Sequence, residues 1–242
     1  MNNGLAGVTF DCWGTLIFDR PAPDGTTSFD LRVRELSRIC SIDAERASAL
    51  LTEAWTYHHD RWQALESYGS PGMAAYCLDK LGMDGESRLR ELTDAFEEAS
   101  ADLGVDIVPG APEALEETRR GGRPTALVCD TGFSPGRIVK RILEGAGLIH
   151  LLDVLAFSDE VGVPKPHERM FLHALGGIGV EPSQAAHVGD LRRTDVAGAR
   201  AMGMGSVRFR GVYDDTSEHA DADVVIDAMG DLPGALEQLG RG

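Results

Sequence analysis

The stretch GVTFDCWGTL (residues 7–16) decides how this chain is read: a four-residue apolar run, then Asp11, then a turn around Gly14. A short apolar run that stops at polar turn residues signals a strand buried on both faces, and Asp11 stands where that strand ends. The same signal recurs in TALV at 125–128, DVLAFS at 153–158, AAHV at 185–188, SVRF at 206–209 and DVVI at 223–226. From the second run onward the intervening segments carry helical stripes, such as Ile138, Val139, Ile142 and Leu143, or Met170, Phe171, Ala174 and Leu175. Strands alternating with helices imply an α/β fold with a Rossmann-like, doubly wound parallel sheet covered on both faces.

The first connection breaks the pattern. Roughly a hundred residues separate GVTF from TALV, too many for one crossover helix. Within them, four stripes repeat at helical spacing: Phe29, Val33, Leu36 and Cys40; Ala47, Leu50, Ala54, His58, Trp62 and Leu65; Met73, Cys77 and Leu81; Leu89, Leu92, Phe96 and Ala99. Breakers at 21–25, 69–72 and 82–85 separate them, and Ser41, Asp43, Ser70 and Ser87 are candidate helix caps. This predicts an inserted α-helical four-helix bundle over 18–104, with 1–17 and 105–242 forming the α/β core.

Composition narrows the function. The 242 residues are 43% hydrophobic, enough to fill such a core, and the net charge of −16 argues against nucleic acid or an anionic membrane as partner. The opening MNNGLAGVTF has no basic region followed by a long apolar one, and no stretch is long and apolar enough to span a bilayer, so a cytoplasmic protein is expected. Cys12, Cys40, Cys77 and Cys129 form no CxxC pair, which speaks against zinc or a disulfide framework. The sequence leaves monomer and homodimer open.

Chemistry gathers at the strand ends. Asp11, Asp130 and Asp190 each follow an apolar run, and Asp195 lies five residues beyond Asp190. A doubly wound sheet places its ligand crevice at those ends. Carboxylates brought close together raise one another's pKa unless a cation balances them, and an all-oxygen donor set favours a hard ion, Mg²⁺ before Ca²⁺. Lys165, fixed between Pro164 and Pro166, faces the same rim, where a phosphoryl group would need it.

Together these features resemble the haloacid dehalogenase-like superfamily over nearly the whole chain. Its first motif, DxxGTL, matches Asp11 to Leu16; its motif lysine, often in KP, matches Lys165-Pro166; its GDxxxxD motif matches Gly189-Asp190 through Asp195. The second motif, normally Ser or Thr at the end of strand two, is blurred in VCDTG, where Cys129 holds the usual register and Thr131 offers the better hydroxyl donor. The resemblance implies Asp11 as nucleophile, with Lys165 and Thr131 as its catalytic partners, and a phosphate cradle of Trp13, Gly14, Thr15, Asp130 and Gly132. It also implies Mg²⁺ held by Asp11, Asp190 and the carbonyl of Trp13, with Asp195 as a further or water-mediated ligand. The bundle corresponds to the family's cap, which closes over the site and carries specificity.

One position departs from the family. Its phosphatases carry a general-acid aspartate where this chain has Trp13, and an indole exchanges no proton near neutral pH. General acid catalysis is worth about 10²–10⁴-fold, or roughly 3–5 kcal/mol. Three readings follow. The first is a phosphatase of a small phosphorylated metabolite whose leaving group is already good, or whose acid comes from His58, His59 or Asp19. The second is a dehalogenase, a branch with tyrosine at the matching place but neutral groups instead of the Asp190 and Asp195 pair. The third is a catalytically weak domain that binds a phosphorylated ligand or a protein through the aromatic surface of Trp55, Tyr57, Trp62 and Tyr76.

Overall fold

The computed structural model describes residues 4–240; Met1 to Asn3, part of the opening stretch read for a leader, lie outside the described residues. The chain starts with β1 (Gly7–Phe10) and β2 (Ile17–Asp19). It continues through α1 (Ser28–Cys40), α2 (Ala44–Gln63), α3 (Gly69–Lys80) and α4 (Glu86–Leu103) to β3 (Val105–Ile107). Then follow α5 (Ala111–Arg120), β4 (Thr125–Cys129), α6 (Gly136–Gly145), β5 (Val154–Phe157), α7 (Ser158–Val161), α8 (Glu168–Ile178) and β6 (Ala185–Gly189). The last elements are α9 (Ala197–Ala201), β7 (Gly205–Phe209), β8 (Val224–Ile226) and α10 (Leu232–Leu239).

All six predicted runs enter one sheet of order β5-β4-β1-β6-β7-β8, and all neighbouring strands pair in parallel. The order runs outward in both directions from β1, so the topological switch lies beside the strand that carries Asp11. Ala126 and Val128 of β4 pack with Met170, Phe171, Ala174 and Leu175 of α8 and with Ala199 of α9. Side-chain alternation sends Leu127 to the opposite face, where α5 packs on β4 and on α10. The sheet is thus covered on both sides. Among the described residues no helix is long and apolar enough to cross a membrane.

Two compact units emerge. One holds the chain up to Phe18, Ile107–Asp130 and everything from Glu144 onward; the other holds Asp19–Asp106 and Thr131–Leu143. In the helical unit α1, α2, α3 and α4 pack in a ring, each on its chain neighbour and α1 on α4. Their shared core is Val33, Leu36, Leu50, Leu51, Met73, Cys77, Leu92 and Phe96. Thr131–Leu143, distant in sequence, joins this unit because Phe133 enters the same core, Ser70 Oγ donates to the Phe133 carbonyl (2.5 Å) and Arg137 pairs with Glu97.

The caps depart from expectation in three places. Asp43 does cap α2, accepting from Arg46 N–H at 2.8 Å. But α1 is capped by Thr27 in a capping box with Asp30, and Ser41 ends that helix in a left-handed turn (φ 55°). Ser70 lies inside α3, its hydroxyl spent on Phe133, and Ser87 lies inside α4, which Gly85 precedes without a side-chain bond. β2 and β3, three residues each, escape the sequence reading because so short a run shows no alternation.

Candidate active site

β1 delivers Asp11 to the carboxyl end of the sheet, and β6, its neighbour, delivers Asp190. Register fixes the strand end, since Phe10 lies opposite Val188 and Asp11 N–H donates to the Val188 carbonyl at 2.8 Å. The chain then turns back sharply, with Leu16 N–H bonded to the Cys12 carbonyl and Gly14 N–H to that of Ile17, both at 2.8 Å. Gly14 is required twice over: its φ is +80°, and a Cβ there would sit 2.6 Å from Asp190 Oδ2. Thr15, on the same turn, donates its hydroxyl to Asp11 Oδ2 at 3.1 Å. Trp13 is partly exposed and bridges to Ile17.

Lys165 is 2% exposed. Its ammonium donates to Asp11 Oδ1 at 2.5 Å and to Asp195 Oδ1 at 2.7 Å, and its backbone N–H donates to Asp130 Oδ1 at 2.8 Å. Asp130, predicted at the phosphate, therefore anchors the loop that carries the lysine. Asp195 lies within a π-turn at Arg192–Val196, in which Val196 N–H reaches the Leu191 carbonyl five residues back. That turn accommodates the long spacing from Asp190 and brings Asp195 back under the site.

One oxygen from each of Asp11, Asp190 and Asp195 lies within 4.8 Å of the others, and all three residues are buried. The electrostatics follow. Burial pushes the Asp11 carboxyl up to about 6 against the pull of Lys165. Burial, reinforced by the charges of Asp11 and Asp195, pushes Asp190 up to about 9. Burial also works to raise Asp195, but Lys165 and His187 outweigh it and hold this carboxyl well below the usual range. Burial works against the charge of Lys165, and the surrounding Asp11, Asp195 and Asp130 overcome it, holding the ammonium well above its ordinary value. The protein thus supplies a lysine that serves Asp11 and Asp195, and leaves Asp190 without a counter-charge strong enough to ionise it.

Thr131 and Gly132, expected with the phosphate, belong to the helical unit. A Cβ on Gly132 would lie 3.2 Å from the Trp55 ring and 3.5 Å from His58 Nε2. Cys129 is committed elsewhere: its thiol, hydrogen-bonded to Cys12 and buried, is held well above the ordinary value and points to the Asp130 carbonyl. Of the other acid candidates, His58 is buried, stacks on Trp55 with ring centroids 5.1 Å apart, and has no partner for Nδ1. Burial, helped by His59, lowers it to about 4, so it is neutral at pH 7. Asp19 accepts the Ser28 hydroxyl at 3.1 Å within the same unit. Two residues the sequence reading passed over, Thr9 and His187, lie under the site; the signal was a single polar residue in each of the apolar runs GVTF and AAHV, paired in register.

A buried aspartate bonded to a lysine, with two further buried carboxylates beside it, stands at the switch point of a doubly wound sheet, where such folds place their ligands. The profile of the haloacid dehalogenase-like hydrolases matches residues 5–203, and the chain belongs to that family. It is 36% identical over 183 residues to a phosphoserine phosphatase of Thermus thermophilus, covering 67% of this chain and 71% of the relative. Its fold is similar to that of a HAD phosphatase from Thermococcus onnurineus (TM-score 0.70, 23% identity, 96% of this chain and 98% of that one). It is also similar to that of a 2-haloacid dehalogenase from Pseudomonas syringae (TM-score 0.67, 23% identity, 97% and 99%). The fold accommodates both chemistries, so the residues must choose between them.

Proposed function

We propose that the protein is a Mg²⁺-dependent phosphatase acting on a small phosphorylated metabolite through an aspartyl-phosphate at Asp11. The observation that carries this reading is the Asp11, Asp190 and Asp195 cluster: three buried carboxylates share one lysine, and Asp190 ionises at neutral pH only if a further cation arrives. The donors are hard oxygens, which fits Mg²⁺. Asp11, Asp190 and the carbonyl of Trp13 would hold it, and it would supply positive charge against the phosphoryl oxygens.

The chain's own residues do the rest. Lys165 keeps Asp11 ionised in spite of burial, and Thr15 fixes the second carboxylate oxygen, so the nucleophile meets phosphorus already oriented. Attack by the carboxylate forms the acyl phosphate and releases the alcohol oxygen as its anion; water then attacks the intermediate, returning Asp11 and inorganic phosphate. Thr131 is the hydroxyl we assign to the phosphate, and Gly14 lets the backbone approach it closely. No acid stands at position 13, and His58 is neutral, so turnover should rise steeply as the leaving group's pKa falls. The helical unit acts as the cap that selects the substrate. The dehalogenase reading fits less well because that branch carries neutral groups where this chain has the Asp190 and Asp195 pair.

Hydrolysis of p-nitrophenyl phosphate tests this. Wild type should release nitrophenol in Mg²⁺ and stop with chelator, and Asp11→Asn should lose on the order of 10⁴-fold or more. A folded wild type that releases nothing, or an Asp11→Asn enzyme as active as wild type, would sink the proposal.

A further inference from the structure

We infer that Thr9 and His187 are a positioning pair for Lys165, acting through Asp195, and that Asp195 is thereby committed to the lysine and is not a metal ligand. The inference rests on the reading of Asp11 as nucleophile and Lys165 as its cation.

Thr9 and His187 face each other across β1 and β6, and both are buried in the sheet. Thr9 Oγ1 lies 2.8 Å from His187 Nδ1, and its competing acceptor, the Ala186 carbonyl, is farther at 3.4 Å. On the other side of the ring, His187 Nε2 lies 3.1 Å from Asp195 Oδ1. An ionised carboxylate only accepts, so Nε2 carries a proton and donates it, and we assign the Thr9 hydroxyl as the donor to Nδ1 on the other side of the ring. The ring cannot turn away, because Phe171 packs edge-on against it with centroids 5.1 Å apart, and Phe171 is itself wedged against Gly198, where a Cβ would fall 2.3 Å from its ring.

Asp195 is then filled. Oδ1 accepts from Lys165 and His187, and Oδ2 accepts from Leu191 N–H at 2.9 Å with the Thr194 hydroxyl at 3.5 Å. A carboxylate has about four acceptor positions, so none is left to face an ion. Its carboxyl carbon also lies where a Cβ on Gly189 would clash at 2.3 Å, which fixes it against the β6 backbone. Held this way, Asp195 sets where the lysine points. Two of the three ammonium protons go to Asp195 and Asp11, and the third is left for an incoming anion. An apolar pair at 9 and 187 would pack into the sheet without the desolvation cost of a hydroxyl and an imidazole, so stability alone gives no reason for them.

The test uses the full chain and two readouts. Thr9→Val keeps the shape and removes the donor; kcat on p-nitrophenyl phosphate should fall about tenfold with KM within about twofold, and Thr9→Ser should restore it. His187→Gln, whose amide can replace the Nε2 donor, should retain more turnover than His187→Leu. Independently of activity, Mg²⁺ binding followed by calorimetry should be unchanged within about threefold in Thr9→Val and Asp195→Asn, while Asp190→Asn loses it. Nitrogen-15 spectra of the wild-type ring should show Nε2 protonated. Loss of Mg²⁺ binding in Asp195→Asn equal to that in Asp190→Asn, or a Thr9→Val enzyme as fast as wild type, overturns the inference. If the wild type proves inactive, the phosphatase reading falls, and the Mg²⁺ titrations and ring spectrum still decide this one.

Discussion

Two buried sites, one in each unit, treat an ionisable side chain in opposite ways. Around Asp11, Lys165 is met by two carboxylates and Asp195 by a lysine, an imidazole and a backbone N–H. In the helical unit His58 is buried against Trp55 and Tyr68 with Nδ1 unpartnered, and it is kept neutral instead. The contrast separates two uses of burial. Paired charges in a dry site preserve reactivity and direction; a neutral ring in an aromatic stack contributes mainly surface.

The strongest way to break this contrast is Lys165→Met. It strands two buried carboxylates, and urea unfolding in chelator should show a loss of about 3–5 kcal/mol, with turnover down on the order of 10²–10³-fold. A variant as stable as wild type would mean the charges were never mutually dependent.

His58 comes next. Its folded-state pKa of about 4 lies below the 6.5 of an unperturbed imidazole, so the unfolded chain takes up the proton first as the pH falls. The stability it contributes is complete above pH 6.5 and is lost down to about 4. Relative to His58→Phe, wild type should lose up to about 3 kcal/mol between pH 7 and pH 4. Parallel stability curves for the two proteins would show that the ring is charged or solvated.

The smallest effect is the most specific. Trp13→Asp adds a carboxylate to the charged region, and if the acid is missing there, turnover of an alkyl phosphate should rise at least about tenfold while that of an aryl phosphate changes little. A folded variant without that gain places the proton source elsewhere.

Much of this was legible in the sequence. A strand buried on both faces must be apolar throughout, so GVTF, TALV and AAHV announced themselves, and helical stripes such as Val33, Leu36 and Cys40 did the same for the bundle. Asp11, Asp190, Asp195 and Lys165 could be placed at one end because parallel strands finish there together. What stayed hidden was non-local or isolated. Nothing near Phe133 in the sequence points to the core around Leu36 and Phe96, which it joins through a fold-wide approach. The bond from the Lys165 backbone to Asp130 spans 35 positions and leaves no local trace in the sequence. Thr9 and His187 are single polar residues whose meaning appears only when two strands are laid in register.

The short pairing of β2 with β3 has a consequence for the cost of the whole insertion. To the sheet, the 85 residues between them (20–104) form one loop whose ends are clamped side by side. Chain-closure entropy grows only with the logarithm of length, so enlarging a five-residue turn to this size costs about 2–3 kcal/mol. A bundle with a core of its own offsets that easily, so the register that holds Asp11 does not depend on how long the insertion is.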